Sequence, residues 1–354
     1  MAILHRYIAR TVISYILLAL LLVVAVDLLF AFVRELKHTG SADYTVGTVI
    51  HYLLLTAPRR IYNMFPMASL LGTIMGLGLL ASHSELIIMR ASGISFLQLA
   101  GSLVRVALLL ALVNMAIGEW VLPKSQPAAD FLRATARGNA QAMLTAEGAW
   151  IKNQDTFIHI DKIYPGGHMQ GITRYVFTPE GHLGSASFSK EAKFQGNTWV
   201  LHDTDYSLIS HDTITTHHTQ TERWDSHVSP NLLSVLVNKP DDLSLSGLKE
   251  YISYLKANDL RADTYLLAFW RKIIQPLTTV VMIVLALTFI MSSSRSSAMG
   301  LRAVTGVVAG FAFYVLNELF GPLSIVYNLP PFLAALMPTA LFALLAAWLL
   351  RRVF

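Results

Sequence analysis

The sequence predicts an α-helical integral membrane protein with six transmembrane helices and an inserted all-β, jelly-roll-like domain. Three observations lead there. The 354-residue chain is 54% hydrophobic and 14% charged, with a mean hydropathy of +0.51, which is too apolar for an ordinary soluble domain. Apolar runs of about 20 residues, enough to cross roughly 30 Å of hydrocarbon as helix, lie at both ends of the chain and are missing from its middle. That middle switches to a hydrophobic period of two.

Taken in order, the first three spans are predicted at residues 12–32, 61–81 and 99–118. The first is read as a retained span, because its apolar core is longer than that of a signal peptide and no small-x-small cleavage pattern follows it. From about residue 140 to 237, WIKN, TFIHIDKIY, GITRYVFT, SASFSKEAKF, TWVLHDTDYSLIS and TITTHHTQTERW alternate apolar and polar residues between the turn signals PGGH, PEGH and FQGN. Strands in such a series suggest an antiparallel sandwich, jelly roll or open barrel. Residues 243–260, containing SGLKEYISYLK after a Ser-rich start, have helical spacing and lead back to the membrane. Spans at 273–291, 304–319 and 332–350 complete the chain. The divisions so drawn are residues 1–138 with a short helix near 82–93, then 139–240, 241–265 and 266–354.

An even number of spans puts both termini on one side, together with the short connection SHSELIIMRASG, and the β domain on the other. Cations give that orientation only a weak vote. Arg6, Arg10, Arg90, Arg295, Arg302, Arg351 and Arg352 mark the terminus side, but Arg34, Lys37, Arg59, Arg60, Arg271 and Lys272 stand at the opposite span ends. With Arg133 and Arg137, one helical turn apart, the second group forms a cationic collar. Arginine gives bidentate contacts to phosphate, so a collar suits a polyanionic head group; the alternative is that these side chains snorkel to lipid phosphates and anchor the helices.

Asp27 and Arg105 lie within spans, where an unpaired charge is costly; Arg105 can snorkel, and Asp27 needs a water-filled vestibule or a partner cation. Asn317 and Glu318 are similar. Gly72/Gly76 and Gly306/Gly310 are small-xxx-small pairs that permit close helix approach.

Several chemistries are excluded by motif. There is no GxxxxGK[ST] loop, HExxH or GxSxG, and no cysteine, so no catalytic residues are assigned. His159, His168, His182, His202, His211, His217, His218 and His227 fall in the β region without ligand spacing, and read as solvated strand residues rather than a metal site. Nothing points to nucleic acid. What remains is a transport or scaffold architecture without its own engine. A permease driven by a separate ATPase needs a helix that enters a groove of that subunit, and SHSELIIMRASG suits it. Leu86, Ile87, Met89 and Ile94 would fill the apolar cleft, Glu85 would pair with a partner arginine and Arg90 with a carboxylate. Spacing alone equally allows a connector lying flat on the membrane surface.

The stretches FPMASLLGTIMGLGLLASHSELIIMRASG, MAIGEWVLP, SLSGLKEYISYLK, WRKIIQPL and FYVLNELFGPLSIVYNLPP, in that order along essentially the whole chain, resemble the LptF/LptG permease family of the lipopolysaccharide export machine of Gram-negative bacteria. IGEWV and FGPLSIVY place the chain nearer one of its two branches. The resemblance implies a multi-pass protein of the bacterial inner membrane with its β-jellyroll domain in the periplasm. It implies a companion permease, LptF, two copies of the cytoplasmic ATPase LptB, which would hydrolyse the ATP, and the single-span bridging subunit LptC beside the first span. No cofactor is implied in this chain itself. Glu85 matches the family's coupling glutamate, with Leu86 and Arg90 beside it. Arg59 and Arg133 match basic residues of its cavity, and Arg137 lies close to another. Ala31 stands where better-known members carry a lysine, so Arg34 or Lys37 is expected to substitute. The rivals are a non-transporting membrane scaffold whose β domain binds periplasmic proteins, and an intramembrane lipid enzyme using Asp27, Glu119 or His51.

Overall fold

In the computed structural model the described residues are 2–40, 43–93, 95–137, 148–153, 155–164, 168–178, 180–195, 198–210, 213–224, 239–292 and 299–353. Ile94 and the histidines at 211 and 227, all named above, lie outside them, as does Arg295. The chain forms two compact units: residues 1–37, 53–126 and 263–354 make a helical unit, and residues 38–52 and 127–262 make the second.

Among the described residues, six helices are long and apolar enough to cross a membrane. They are α1 (Ala2–Leu36), α2 (Val46–Ser82), α4 (Phe96–Ala116), α7 (Asp263–Ser292), α8 (Met299–Val326) and α9 (Pro331–Val353), with a short α3 (Glu85–Ala91) between the second and third. Several outrun the predicted spans. Hydropathy reads only the hydrocarbon slab, whereas a helix continues wherever its backbone bonds persist; α1 takes in Arg6 and Arg10, and α2 begins 15 residues before 61. Likewise α4 runs through a π-helical turn, Ile117–Val121, into α5 (Leu122–Ala136).

One stripe of α1, Ile8, Val12, Ile16, Leu20 and Val24, is buried against α2, α4 and α7 in a common core. Gly72 explains how closely α1 approaches. A Cβ there would lie 2.5 Å from Ile16 N and 2.6 Å from Tyr15 O, so only glycine admits the crossing. Gly306 and Gly310 of α8 instead face Ile74 and Met67 side chains of α2.

Proline leaves gaps in these helices that neighbours fill. Pro66 cannot donate to the Tyr62 carbonyl one turn earlier. Asn114 Nδ2 and Gln275 Nε2 donate to it instead, at 3.4 and 3.1 Å. Beside it, the buried Lys272 Nζ donates to the Gly118 carbonyl of the π turn at 2.8 Å and lies 6.0 Å from the Tyr62 ring centre.

The second unit holds a six-stranded antiparallel sheet: β1 (Ala149–Asn153), β2 (Thr156–Tyr164), β3 (His168–Phe177), β4 (Leu183–Gln195), β5 (Thr198–Ile209) and β6 (Ile214–Trp224). The alternation foresaw each strand within a few residues. The sheet order is sequential, β1 to β6, so the described strands form a meander, without the crossovers that define a jelly roll. Next comes α6 (Leu245–Ala257), capped by Ser244 Oγ accepting from Gly247 N at 3.1 Å. Its Tyr254 Oη donates to the carbonyl of Lys152 at 2.6 Å, which covers part of the β1 edge.

The inward set of side chains changes parity across the sheet. On β2 it is Ile158 and Ile160, then Ile163; on β3 Met169, then Ile172 and Arg174; on β4 Ser187 and Ser189, then Ala192; on β5 Trp199 and Leu201, then Thr204. The switch follows one row, between the pairs Ile160↔Ile172 and Lys162↔Gln170 and their continuations on β4 and β5. Gly171 (φ +66) and Asp203 (φ +52) stand in that row. Left-handed backbone interrupts the two-residue pleat, so the sheet creases there and the inward face closes on itself. A Cβ at Gly171 would meet Asp161 Cγ at 2.5 Å.

Candidate functional site

Cations of the predicted collar belong to both units: Arg34, Lys37 and Arg59 to the helical unit, Arg133 and Arg137 to the second. Arg34 and Lys37, at the C-terminal end of α1 and just past it, are exposed, and Arg59 in α2 is half-buried. Helix α1 stops here without a proline, as the chain enters the polar run RELKHTG.

Arg133 and Arg137 are held by aromatic rings. Arg133 Cζ stands 5.3 Å from the Tyr52 ring centre, and Arg137 Cζ 5.0 Å from that of Tyr44. Arg133 and Arg137 are four residues apart, in the last turn of α5 and just past it, and both tyrosines are buried. Cation–π contact is worth about 0.5–2 kcal/mol depending on desolvation, and it helps to position each guanidinium against its ring. Two such groups side by side can grip an anion with several oxygens.

Of the vestibule and the partner cation that its position allowed, Asp27 has the cation. Arg60 Nη1 of α2 donates to Asp27 Oδ2 of α1, and Arg60 Nε also reaches Thr56 Oγ1 at 3.4 Å. With side chains 17% and 28% exposed, the pair ties two helices where neither charge would be tolerated singly. Sequence reasoning placed Arg60 in the collar; the pairing instead uses it internally.

The short helix α3 departs from expectation in its orientation. Glu85 opens it and accepts from Tyr7 Oη at 3.2 Å; His83 Nδ1 is 3.9 Å from Glu85 Oε1. Leu86, expected on the docking face, is 6% exposed and belongs to the core of the helical unit, with Met89 packed against the same cluster. Among the described side chains of α3, Ile88, at 62% exposure, is apolar and turned outward. Seven residues make barely two turns, so tertiary packing rather than spacing chooses which side faces in. The side chains of Ile87 and Arg90 lie outside what is described.

Three β-region histidines sit by carboxylates: His218 by Asp205 at 2.7 Å, His159 by Asp161 at 3.4 Å and His168 by Glu191 at 3.6 Å. One group on the creased sheet was not foreseen. Arg174, with 8% of its side chain exposed, donates from Nε to Ser187 Oγ (3.0 Å) and from Nη2 to Tyr206 Oη (2.6 Å) and Glu222 Oε2 (2.9 Å). Its Cζ lies 5.4 and 5.5 Å from the Tyr206 and Trp224 ring centres. Burial and then the hydrogen bond to Glu222 push the Tyr206 hydroxyl above its ordinary pKa, so it stays protonated. The signal available was parity, since Arg174 shares its face with Ile172 in GITRYVF.

Among the described residues, six membrane-length apolar helices with an antiparallel β unit inserted between the third and fourth define a multi-pass membrane protein with an inserted β domain. The chain belongs to the LptF/LptG family of lipopolysaccharide export system permeases, whose model matches residues 6–352. It is 40% identical over 353 residues to the lipopolysaccharide export system permease protein LptG of Escherichia coli K12, covering 99% of this chain and 98% of that one. To the protein of the same description from Haemophilus influenzae it is 34% identical over 351 residues, with the same coverage. Membership carries with it a companion permease in an export system.

Proposed function

We propose that this chain is the permease subunit of an ABC-type exporter that takes lipopolysaccharide out of the outer leaflet of the inner membrane and passes it to a periplasmic bridge. The observation that carries this reading is the joining, in one member of this family, of membrane-length apolar helices to a β unit whose inward face is largely apolar, with Ile158, Ile160, Ile172, Trp199 and Leu201 all closed from water. Lifting a lipid from the bilayer costs about 0.8 kcal/mol per CH₂ exposed, so one twelve-carbon chain alone costs about 9 kcal/mol. An apolar path lowers that cost and an external motor supplies the remainder.

In this reading the chain hydrolyses no ATP and needs no cofactor of its own. A cytoplasmic LptB dimer is the motor, LptF the companion and LptC the single-span bridge, with the β domain in the periplasm. Glu85 and Arg90 couple to the ATPase, joined by Ile88 as its apolar contact. Arg34, Lys37, Arg59, Arg133 and Arg137 receive the phosphates of the head group, with Arg133 and Arg137 set against tyrosine rings.

The test is charge reversal of Arg59 and Arg133 together, in the assembled complex, with a photoreactive residue in the helical unit. Lipopolysaccharide crosslinking should fall while assembly with the ATPase is kept. Undiminished crosslinking rejects the collar as the head-group site, and mass spectrometry finding no lipopolysaccharide on the purified complex rejects the cargo.

A further inference from the structure

The Arg174 group lies on the inward face of the β unit, far along the chain from every residue assigned above. Two strands, β4 and β5, separate β3 from β6. Through Ser187 and Tyr206, Arg174 aligns with His217, five residues along β6 from Glu222, so at about 4.8 Å between strands and about 3.3 Å per residue a flat sheet would hold the two Cα atoms roughly 22 Å apart, beyond the reach of both side chains. The observed 2.9 Å contact therefore spans the fold of the creased sheet, joining its two halves across the apolar face. The two partners are not equally committed to it. Arg174 keeps 8% of its side chain exposed, against 26% for Glu222, and has Ser187, Tyr206 and two rings around it. If the ion pair parts, the carboxylate can turn to water, and the guanidinium stays where it is.

We propose that Arg174, with the hydroxyls of Tyr206 and Ser187, forms a transit subsite for a phosphate group of an amphiphilic cargo, and that the Glu222 carboxylate occupies this subsite until the phosphate displaces it. The donor set matches such a group. A guanidinium offers paired N–H donors, two hydroxyls add neutral ones, and the Tyr206 hydroxyl stays protonated so that it can donate. A phosphomonoester carries about −1.5 to −2 charges at neutral pH against −1 for a carboxylate, so it competes well for a cation shielded from water. The acyl part of the same molecule meets Ile158, the register partner of Arg174, and Ile172 beside it. This rests on the proposed cargo, and the experiment separates the two.

The complete complex is reconstituted with phosphorylated lipopolysaccharide, and benzoylphenylalanine is placed at Trp224, beside Arg174, or at Ile163, beyond the crease. Crosslinking at Ile163 reports whether cargo reaches the inward face at all. Glu222→Gln should raise the ATP-dependent yield at Trp224, and Arg174→Gln should lower it, each by about tenfold, the worth of one charge-assisted hydrogen bond. Both should leave Ile163 unchanged. With cargo stripped of its phosphates, the two variants should match the parent. Arg174→Met combined with Glu222→Met leaves no unpaired charge, so the sheet should resist protease as before while the response to phosphate is lost. Yields at Trp224 that stay within about twofold in both single variants, or that fall alike in both, would show a structural clasp and overturn the subsite. Absence of crosslinking at Ile163 in the parent would overturn the cargo reading and the subsite with it.

Discussion

Replacing Gly72 by alanine puts a methyl group where α1 leaves no room. The new Cβ would fall 2.5 Å from Ile16 N and 2.6 Å from Tyr15 O, with Ile16 Cα closer still, and all of these are backbone atoms. Ordinary carbon contacts stand at about 3.5–4.0 Å, so α1 must withdraw by roughly 1 Å along this line. That withdrawal loosens Val12, Ile16 and Leu20, each 9% exposed or less, from their shared core. Overpacking of this kind costs about 1–3 kcal/mol, and the upper end applies because no rotamer change relieves a backbone clash. Gly76→Ala is the internal control, since its Cβ meets Val12 Cα and Tyr15 Cβ at 3.4 Å. Gly306→Ala is the second, because the atom in its way at 2.7 Å is the tip of the Ile74 side chain. Thermal inactivation of the purified complex in detergent, read as half-life at fixed temperature, should rank Gly72→Ala well below both controls. If Gly72→Ala matches the parent, or if Gly306→Ala is the worse, then the close approach of α1 to α2 does not hold the helical unit together as argued.

Asp27→Ala or Arg60→Ala alone should destabilise by about 1–3 kcal/mol, and their combination by less than the sum; a double-mutant cycle without coupling would deny the tie between α1 and α2. Glu85→Ala should weaken ATPase docking or coupling while the protein still inserts, and unaltered export with normal assembly would contradict the role given to α3. Burial raises the Tyr254 hydroxyl above its ordinary pKa near 10, with its bond to Lys152 opposing in part. A proton held more tightly in the folded state stabilises it fully below pH 10, and that share is lost as pH rises beyond. Alkaline unfolding of the β unit, followed by tryptophan fluorescence, should thus be less steep above pH 10 in Tyr254→Phe, and an unchanged slope would count against this linkage.

Parts of the site were legible and others were not, for identifiable reasons. Asp27 announced its need for a water-filled vestibule or a partner cation because a lone carboxylate in a span is costly, yet the choice of a cation, and of Arg60, 33 residues away, waited until α1 and α2 were placed together. Arg133 and Arg137 could be put on one helical face from their spacing, but nothing local foretold the rings of Tyr52 and Tyr44 beneath them. Leu86 read as a docking side chain and is core instead, since a helix of seven residues takes its orientation from what it packs on.

By itself the sequence determined the helices that can enter hydrocarbon, the strands between them and the turns that separate those strands. Each of these is set within a short window, by the cost of exposing apolar surface or of leaving backbone groups unbonded. Tertiary structure alone decided the crease through Gly171 and Asp203, the closeness of α1 to Gly72, and the partners of Asp27, Lys272 and Arg174. Those depend on distances between residues remote in the chain, and a buried charge settles on whichever partner the packed backbone brings within reach.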